Sequence, residues 1–295
     1  MNEMSAPIID RRDYVGGSEV AALFGLHPHV TRFELYHRKR GSLPEHDLSD
    51  DNRVQAGIHL EPAIAAWVAA KTGWNLRKVH RHIARNGLGG HLDYEIVGHE
   101  RGPGVLEIKT VDWLVFRDWP EGEPPIHYLL QLQAYLTLTG RAWGAIAVLV
   151  GGNDLRIFEY ERRPKIVAKI EAAVAEFWAD ANAGCEPRPD WHADAEAIGQ
   201  LYRAAGGGLV DMTNDNYLAD LCGRYAGASA RESAARADKE AAKAEILTKI
   251  GVADKVLAPG FTISAATVAA KVISYTRETY RAFRVTEKRA AKEAA

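Results

Sequence analysis

The residues of this chain that could do chemistry begin with an aspartate, a glutamate and a lysine. Glu107 follows Asp93 by fourteen residues and Lys109 comes two positions later, which gives the spacing D-x13-E-x-K. Two carboxylates and a lysine at one sheet edge suit metal-assisted phosphodiester hydrolysis, because the carboxylates hold Mg²⁺ and the lysine orients or polarises the attacking water. Alone the spacing is a loose signal, and the alternative is a solvated face with a cross-strand ion pair, worth roughly 0.2–1 kcal/mol.

The local sequence predicts that these side chains meet on a β-hairpin. Apolar and charged residues alternate over Val105–Lys109, the pattern of a half-buried strand, so its two charged side chains leave the same face. Residues 99–104, His-Glu-Arg-Gly-Pro-Gly, are a dense turn signal that would fold the preceding strand, Gly90–Val97, back onto this one. The hairpin would therefore bring Asp93 next to Glu107.

The surrounding pattern predicts a mixed α/β fold. Helices are predicted at Glu19–Phe24, Arg32–Arg40, a stretch that ends at Lys71 and breaks or kinks at Pro62, Ile126–Leu138 and Pro164–Ala183. Further strands are predicted at Asn75–Ile83 and, as a second hairpin, at Ala142–Val150 and Leu155–Glu161. This order predicts a mixed central β-sheet flanked by helices.

Composition changes after Pro187-Arg188-Pro189, so we expect a first domain of residues 1–191 and a C-terminal extension of residues 192–295. The extension is predicted to be mostly helical, with a long exposed helix or coiled coil at Ser229–Ile250, a short strand at Phe261–Ser264 and a last structured piece at Thr276–Thr286. Residues 231–295 hold 13 Lys/Arg against 8 Asp/Glu, so this region is a candidate contact for DNA or for a partner helix.

Composition and charge exclude several classes of protein. The chain has 295 residues, 47% hydrophobic and 26% charged, which is ordinary for one or two globular domains. Its net charge of −2 disfavours a passive DNA-wrapping protein, whereas a nuclease needs only a local basic patch. Two cysteines without a C-x-x-C spacing disfavour a zinc ribbon or a disulfide framework. With no signal peptide and no long apolar run, we expect a cytoplasmic protein of a bacterium or phage-infected cell, without membrane contact.

Four motifs, taken in order, carry a resemblance to a known family. They are Gly16–Gly25, Gly57–Pro62 followed by Thr72-Gly73, Asp93 with Glu107–Thr110, and Tyr128–Tyr135 followed by Thr139-Gly140. Their order and intervals resemble the YqaJ-type viral recombinases, the phage lambda exonuclease-like nucleases of the PD-(D/E)xK superfamily, over about residues 11–191. The resemblance implies a restriction-endonuclease-like core.

The resemblance also implies a role for each matching residue. The implied metal contacts are the carboxylates of Asp93 and Glu107, the backbone carbonyl of Ile108 and the helix glutamate Glu61. The groups implied to activate or orient the water are Lys109 and Gln131. The candidate phosphate or DNA contacts are Ser18, Gln133 and either Arg11 or Arg12, with Ser18 as a plain helix N-cap the alternative. The family usually has Ser-Pro-Asp-Gly where this chain has His91-Leu92-Asp93-Tyr94, which leaves the pose of the aspartate open.

The resemblance therefore implies a Mg²⁺-dependent DNA exonuclease of the phage recombination type, with Mn²⁺ as a substitute ion. It would hydrolyse linear double-stranded DNA in the 5′→3′ direction and leave 3′ overhangs for a single-strand annealing partner. One alternative is a structure-specific or nicking endonuclease. Another is a catalytically inactive DNA-binding or recombination-mediator subunit, against which the intact acids and lysine argue. A homo-oligomer is left open.

Overall fold

A computed structural model describes residues 10–45, 47–277 and 279–286, and they form two compact units that divide after Leu201. The helices of the first unit are α1 (Val20–Leu23), α2 (Arg32–Lys39), α3 (Asn52–Thr72), α4 (Trp113–Arg117), α5 (Ile126–Thr139), α6 (Pro164–Ala183) and α7 (Ala195–Leu201). Its strands are β1 (Val15–Gly16), β2 (Asn75–Lys78), β3 (Ile83–Arg85), β4 (Leu88–Gly90), β5 (Tyr94–Val97), β6 (Gly104–Val111), β7 (Trp143–Val150) and β8 (Asp154–Glu161). Short 3-10 helices lie at Arg11–Asp13, Gly17–Glu19 and Pro120–Gly122.

The central sheet of the first unit has five strands in the order β2-β5-β6-β7-β8. β6 and β7 are parallel and the other neighbouring pairs are antiparallel, so the predicted mixed α/β fold is confirmed. Every residue of β7 is buried, which fits a central strand covered on both faces. The order of α3, an antiparallel hairpin, α5 and a further strand parallel to β6 gives the restriction-endonuclease-like core that the resemblance implied.

Two helices cover opposite faces of this sheet and position the candidate site between them. Ile64, Ala65 and Val68 of α3 pack on the face that carries Leu106 and Ile108 of β6. The apolar side chains of α5 pack with those of the opposite face, which include Val105, Ile146 and Val148. Because successive side chains of a strand alternate between faces, Glu107 and Lys109 lie on the α5 face.

The hairpin β5–β6 forms as predicted, with residues 98–103 as its turn. The positive φ values of Gly98 and Gly102 give the chain the left-handed backbone that such a turn requires. The turn is anchored by the neighbouring strand β7, because the Trp143 indole N–H donates to the Gly102 carbonyl at 3.0 Å. A Cβ on Gly104 would lie 2.9 Å from that indole, so the start of β6 has room only for glycine.

Two local predictions differ from the structure. The single strand expected over 75–83 is two strands in different sheets, because residues 79–82 leave the central sheet and β3 then pairs with β4. β4 also pairs with β1 near the N-terminus. Of the break or kink expected at Pro62, the break is absent, because α3 continues through this residue as one helix from its Asp51 cap to Gly73.

The described residues of the second unit form one long helix and one hairpin. α8 (Asn216–Ile250) begins thirteen residues before the predicted helix, and none of its residues is buried. The predicted strand, β10 (Phe261–Ser264), pairs with β9 (Lys255–Ala258) across Pro259-Gly260. The last structured piece predicted at 276–286 is wrong for the described residues there, which form neither helix nor strand. Glu278 and residues 287–295 lie outside the described residues.

The boundary predicted after residue 191 stays a prediction, and the residues around it are ordered on the first unit. Asp194 is buried and accepts a hydrogen bond from the Thr31 hydroxyl at the start of α2. Ala197 of α7 packs on Phe33 and Leu43. Within the part of the chain that the structure describes, no helix is both long enough and apolar enough to cross a membrane.

Candidate active site

Strand β6 carries the acid and the lysine of the site on one face. Glu107 is almost fully buried and Lys109 is partly exposed, so the pair lies where the sheet interior opens to solvent. Lys109 Nζ donates to Glu107 Oε1 at 2.8 Å. The backbone positions of both residues are fixed, because they belong to the fully paired ladder between β6 and β7.

Gln131 of α5 completes a triangle with these two side chains. Its Oε1 accepts from Lys109 Nζ at 3.0 Å, and its Nε2 donates to Glu107 Oε1 at 2.6 Å. The same amide lies 3.3 Å from the hydroxyl of Tyr135, one helical turn further along α5. The structure therefore brings together three of the residues that the resemblance implicated, through contacts between a strand and a helix.

Asp93 is held by the backbone of β6. Pairing between β5 and β6 ends at Tyr94 and Leu106. The next N–H of β6 that points toward β5 is that of Ile108, and it therefore has no partner in that strand. Asp93 Oδ2 accepts from that N–H at 2.7 Å. The preceding Leu92 is buried and anchors the residue from the core. Loss of the usual Pro and Gly around the acid therefore leaves its pose well defined.

The charges of this cluster are not balanced. Burial, and then the negative charge of Asp93, raise the pKa of Glu107 to about 7, and Lys109 offsets them only in part. Burial likewise raises the pKa of Asp93, against the opposing effects of the Ile108 N–H and Lys109. Burial alone would lower the pKa of Lys109, but contact with Glu107 raises it overall, so the ammonium keeps its proton at neutral pH.

One oxygen of the cluster has no hydrogen bond. Glu107 Oε2 is buried and lacks a partner among the described residues, although buried carboxylate oxygens normally have one. Two carboxylates with raised pKa values and an unsatisfied oxygen fit a divalent cation, which would supply the missing positive charge. Asp93, Glu107 and the Ile108 carbonyl are the groups that would hold it. No set of three His, Cys, Asp or Glu side chains within the described ranges is grouped closely enough to hold a metal ion.

The resemblance implied that Glu61 is a third acid at the metal ion, but Glu61 is not grouped with Asp93 and Glu107 in this way. It lies in α3, and its carboxylate forms an ion pair with Lys78 of β2. Sequence reasoning missed Lys78. The strand register explains its position, because Lys78 lies opposite Tyr94, the residue next to Asp93. Its ammonium stands 5.0 Å from the centre of the Tyr94 ring. The Lys78 charge also lowers the pKa of both Asp93 and Glu107, so it belongs to the same electrostatic cluster.

The N-terminal candidates lie on a separate element. Ser18 is exposed in the middle of the 3-10 helix Gly17–Glu19 and caps neither that helix nor α1, so the N-cap alternative is wrong. Instead the Glu19 carboxylate accepts from the Gly16 N–H at 2.6 Å. Arg12 is bound to Asp10 through two hydrogen bonds from its Nε, at 3.0 and 3.1 Å. The Arg11 guanidinium makes a looser approach to Glu19, at 3.9 Å.

A buried lysine organises this N-terminal element, and the sequence did not single it out. The Lys39 side chain is fully buried at the end of α2, where Nζ lies 2.8 Å from Glu19 Oε2. Nζ also donates to the Arg11 carbonyl at 2.8 Å. This ion pair fixes the turn that presents Ser18 and the backbone of Arg11.

Gln133 does not face the substrate, and the expectation of a DNA contact is corrected. Its side chain is buried, Nε2 donates to the Glu161 carbonyl at 2.8 Å, and Oε1 accepts from the Arg163 N–H at 2.9 Å. Both ends of the amide are thus used to join α5 to the connection between β8 and α6. Gln133 points away from Gln131 because residues two apart on a helix do not share a face.

A cleft of about 700 Å³ opens beside the cluster. Leu60 and Thr110, the neighbours of Glu61 and Lys109, line it together with Arg53, His127 and Tyr128. Lys109 Nζ is 5.1 Å from the centre of the Tyr128 ring, so a residue of the cleft wall contacts the triangle of Glu107, Lys109 and Gln131. Burial and the nearby His27 lower the pKa of His127 to about 4, so this imidazole is neutral at pH 7.

Comparison with known proteins gives one family and several relatives. Residues 9–142 match the YqaJ-like viral recombinase domain. Over 178 residues the chain is 32% identical to the uncharacterized protein YqaJ of Bacillus subtilis (strain 168), an alignment that covers 59% of this chain and 54% of that protein. The chain therefore spans about half the length of this relative.

Two solved structures are similar to part of the chain. The alkaline exonuclease LHK-Exo from Laribacter hongkongensis is 22% identical, with 64% of this chain and 95% of that chain covered and a TM-score of 0.47. A phage related exonuclease from Haemophilus somnus 129PT is 13% identical, with 58% and 96% covered and a TM-score of 0.44.

Proposed function

Since residues 9–142 match the YqaJ-like viral recombinase domain, we propose that the protein is a Mg²⁺-dependent DNA exonuclease. It hydrolyses phosphodiester bonds of linear double-stranded DNA in the 5′→3′ direction and leaves 3′ single-stranded overhangs. A single-strand annealing protein takes up those overhangs, which places the reaction in recombination of the phage type. Mn²⁺ substitutes for Mg²⁺, because both are hard cations that accept carboxylate and carbonyl oxygens.

The observation that carries this proposal is the buried cluster of Asp93, Glu107, Lys109 and Gln131. The cluster has two acids and only one positive charge, that of Lys109, and Glu107 keeps an oxygen without a partner among the described residues. A structural ion pair would be satisfied on both oxygens. Asp93, Glu107 and the Ile108 carbonyl would hold the divalent ion, which would supply polarisation of the phosphate and a lower pKa for a bound water molecule.

Lys109 and Gln131 act on the attacking water. The Lys109 ammonium is bonded to Glu107 and Gln131 and keeps its proton, so it acts as a positively charged donor. Such a donor orients the water and stabilises the negative charge that develops on the phosphate in the transition state. The hydrogen bonds of Gln131 to Glu107 and Lys109 fix the angle at which both groups face the reacting phosphate.

The N-terminal turn receives the terminal phosphate of the substrate. Ser18 presents an exposed hydroxyl there, and the Glu19–Lys39 ion pair keeps the turn rigid. Of the two arginines we assign the phosphate contact to Arg11, because the Arg12 guanidinium is already held by Asp10. An arginine offers paired N–H groups that match phosphate oxygens.

The test is digestion of a linear duplex labelled at one 5′ end, beside a nicked circle and a closed circle, in Mg²⁺ and in EDTA. We expect early release of the label from linear duplex in Mg²⁺ only, with closed circles intact. Late release of the label, after the unlabelled end has been degraded, would indicate the 3′→5′ direction instead. Cutting of closed circles, or of the intact strand of nicked circles, would support the endonuclease, and DNA binding without any hydrolysis would support the inactive subunit.

A further inference from the structure

A basic run of the sequence lies beside Asp93. Residues 76–85 hold four Lys or Arg and no Asp or Glu. The run begins in β2, at the edge of the central sheet, and ends in β3, which belongs to a second sheet with β4 and β1. We name the loop between β2 and β3, residues 79–82, the basic loop, and Arg81 lies within it.

Two contacts hold the basic loop against the segment that carries the acid. At the start of the loop, the Val79 N–H donates to the Asp93 carbonyl at 3.2 Å. At its end, the centre of the His82 ring lies 4.9 Å from the centre of the His91 ring, two residues before the acid. Arg81 lies between these two contacts, so the backbone places it beside Asp93.

The basic loop also contacts the part of the chain that is proposed to receive the terminal phosphate. The Tyr14 ring lies 4.4 Å from the His82 ring, measured between their centres. Tyr14 is followed by β1, which pairs with β4 and leads into the turn that presents Ser18. The basic loop therefore touches both the segment that leads to Ser18 and the segment that leads to Asp93.

Arg81 differs from its basic neighbours in having no partner. The Arg77 guanidinium pairs with Glu95, and the Lys78 ammonium pairs with Glu61. Arg81 is exposed, and among the described residues its side chain makes no ion pair and no hydrogen bond. A guanidinium without an acid keeps its N–H donors free, and paired N–H groups match the oxygens of a phosphate.

We propose that Arg81 binds the phosphodiester backbone of the DNA substrate beside the scissile phosphate. The inference rests on the proposed function, because it presumes that the scissile phosphate lies at Asp93 and Glu107. A backbone contact of this kind holds DNA of any sequence, so it contributes to affinity and to the dependence of binding on salt. Arg81 takes no part in the hydrogen bonds among Glu107, Lys109 and Gln131.

The experiment measures binding of the full-length protein to a linear duplex in EDTA, at KCl concentrations of about 50–200 mM. Arg81→Gln should weaken binding about fivefold and lower the slope of log K against log salt by about 0.9, the value for one phosphate contact on duplex DNA. In Mg²⁺ the same variant should raise KM more than it lowers kcat, because the contact is made in the ground state as well as in the transition state. Arg81→Lys keeps the charge and should keep the salt slope.

Arg85→Gln is the matched control, because it removes the same charge from the same basic run. Arg85 is exposed at the far end of β3 and lines a different cavity, of about 430 Å³, with Glu171 of α6. This variant should leave both the affinity and the salt slope unchanged. An unchanged slope in Arg81→Gln, or an equal change in Arg85→Gln, would overturn the inference and leave the proposed function standing. A wild type that neither binds nor hydrolyses linear duplex would instead remove the proposed function.

Discussion

Glu95 and Glu107 are both buried glutamates on neighbouring strands of one sheet, and their register places them on the same face. Their surroundings differ. Glu95 receives hydrogen bonds on both oxygens, from Arg77 and from Arg141, the latter at 2.8 Å. Burial alone would raise the pKa of Glu95, but the two arginines lower it overall. Glu107 has one lysine, a second acid beside it and an unsatisfied oxygen, and its pKa is raised to about 7.

The difference separates a carboxylate that stabilises the fold from one that is available for chemistry. A buried charge with complete partners is fixed at neutral pH and has nothing to offer a ligand. A buried charge with incomplete partners lowers the stability of the protein and gains most when a cation binds. Both glutamates are nearly inaccessible to solvent and each receives two hydrogen bonds, so the difference lies in the charge and placement of the donors. Two arginines serve both oxygens of Glu95, whereas one lysine and one neutral amide share a single oxygen of Glu107.

The largest expected effect is on hydrolysis. Asp93→Asn or Glu107→Gln should lower kcat by about 10³-fold or more, because each removes a charge that holds the ion and stabilises the transition state. Glu95→Gln is the matched control and should keep kcat within about threefold, assayed at a temperature where it remains folded. A Glu95→Gln variant as inactive as Glu107→Gln would mean that the two glutamates do not differ in function.

Lys109 provides the next test of the comparison. Lys109→Met should lower kcat by about 10²–10³-fold and change KM little, because its interaction with the developing phosphate charge arises mainly in the transition state. Arg141→Met removes a cation from Glu95 in the same way and should affect stability rather than kcat. A Lys109→Met variant that changed only KM would show that the lysine binds the substrate backbone.

A third test addresses how much Glu95, the carboxylate with hydrogen bonds on both oxygens, contributes to the stability of the protein. Glu95→Gln should lower the free energy of unfolding by about 2–4 kcal/mol at pH 7, because it leaves two arginines without their shared acid. The pKa of Glu95 is lower in the folded state than its ordinary 4.5. Its contribution is therefore complete above that value and is lost as pH falls through the folded pKa. Urea unfolding at pH 7 and pH 3.5 should show the difference between variant and wild type shrinking at the lower pH.

Some of this arrangement could be predicted from the sequence because it depends on short-range pattern. Asp93, Glu107 and Lys109 lie within one hairpin, whose alternation and turn residues fix which side chains meet. Lys78 could not be recognised in this way, because its position depends on the pairing of β2 with β5 and on the packing of α3. Gln133 was misassigned for the same reason: its partners, Glu161 and Arg163, are about thirty residues away.

The smallest expected effect is a gain of protein stability, whereas Glu95→Gln is expected to cause a loss. Asp93→Asn should raise the free energy of unfolding of the metal-free protein by about 1 kcal/mol at pH 8, a rise in Tm of roughly 2–4 °C. The amide oxygen can still accept from the Ile108 N–H, and the repulsion between Asp93 and Glu107 is removed.

The sign of the pH dependence follows from the raised pKa of Asp93. The folded protein holds the proton of this acid more tightly than the unfolded chain does, so stability falls as pH rises from about 3.8 through the folded pKa. The advantage of Asp93→Asn should therefore be greatest at pH 8 and vanish near pH 3.5. Saturating Mn²⁺ in the melting buffer should raise Tm for the wild type and not for the variant, which inverts their order, because an ion that binds only the folded state adds stability by mass action. A variant less stable than metal-free wild type at pH 8 would show that Asp93 contributes to folding as Glu95 does, and the distinction between the two kinds of buried carboxylate would fail.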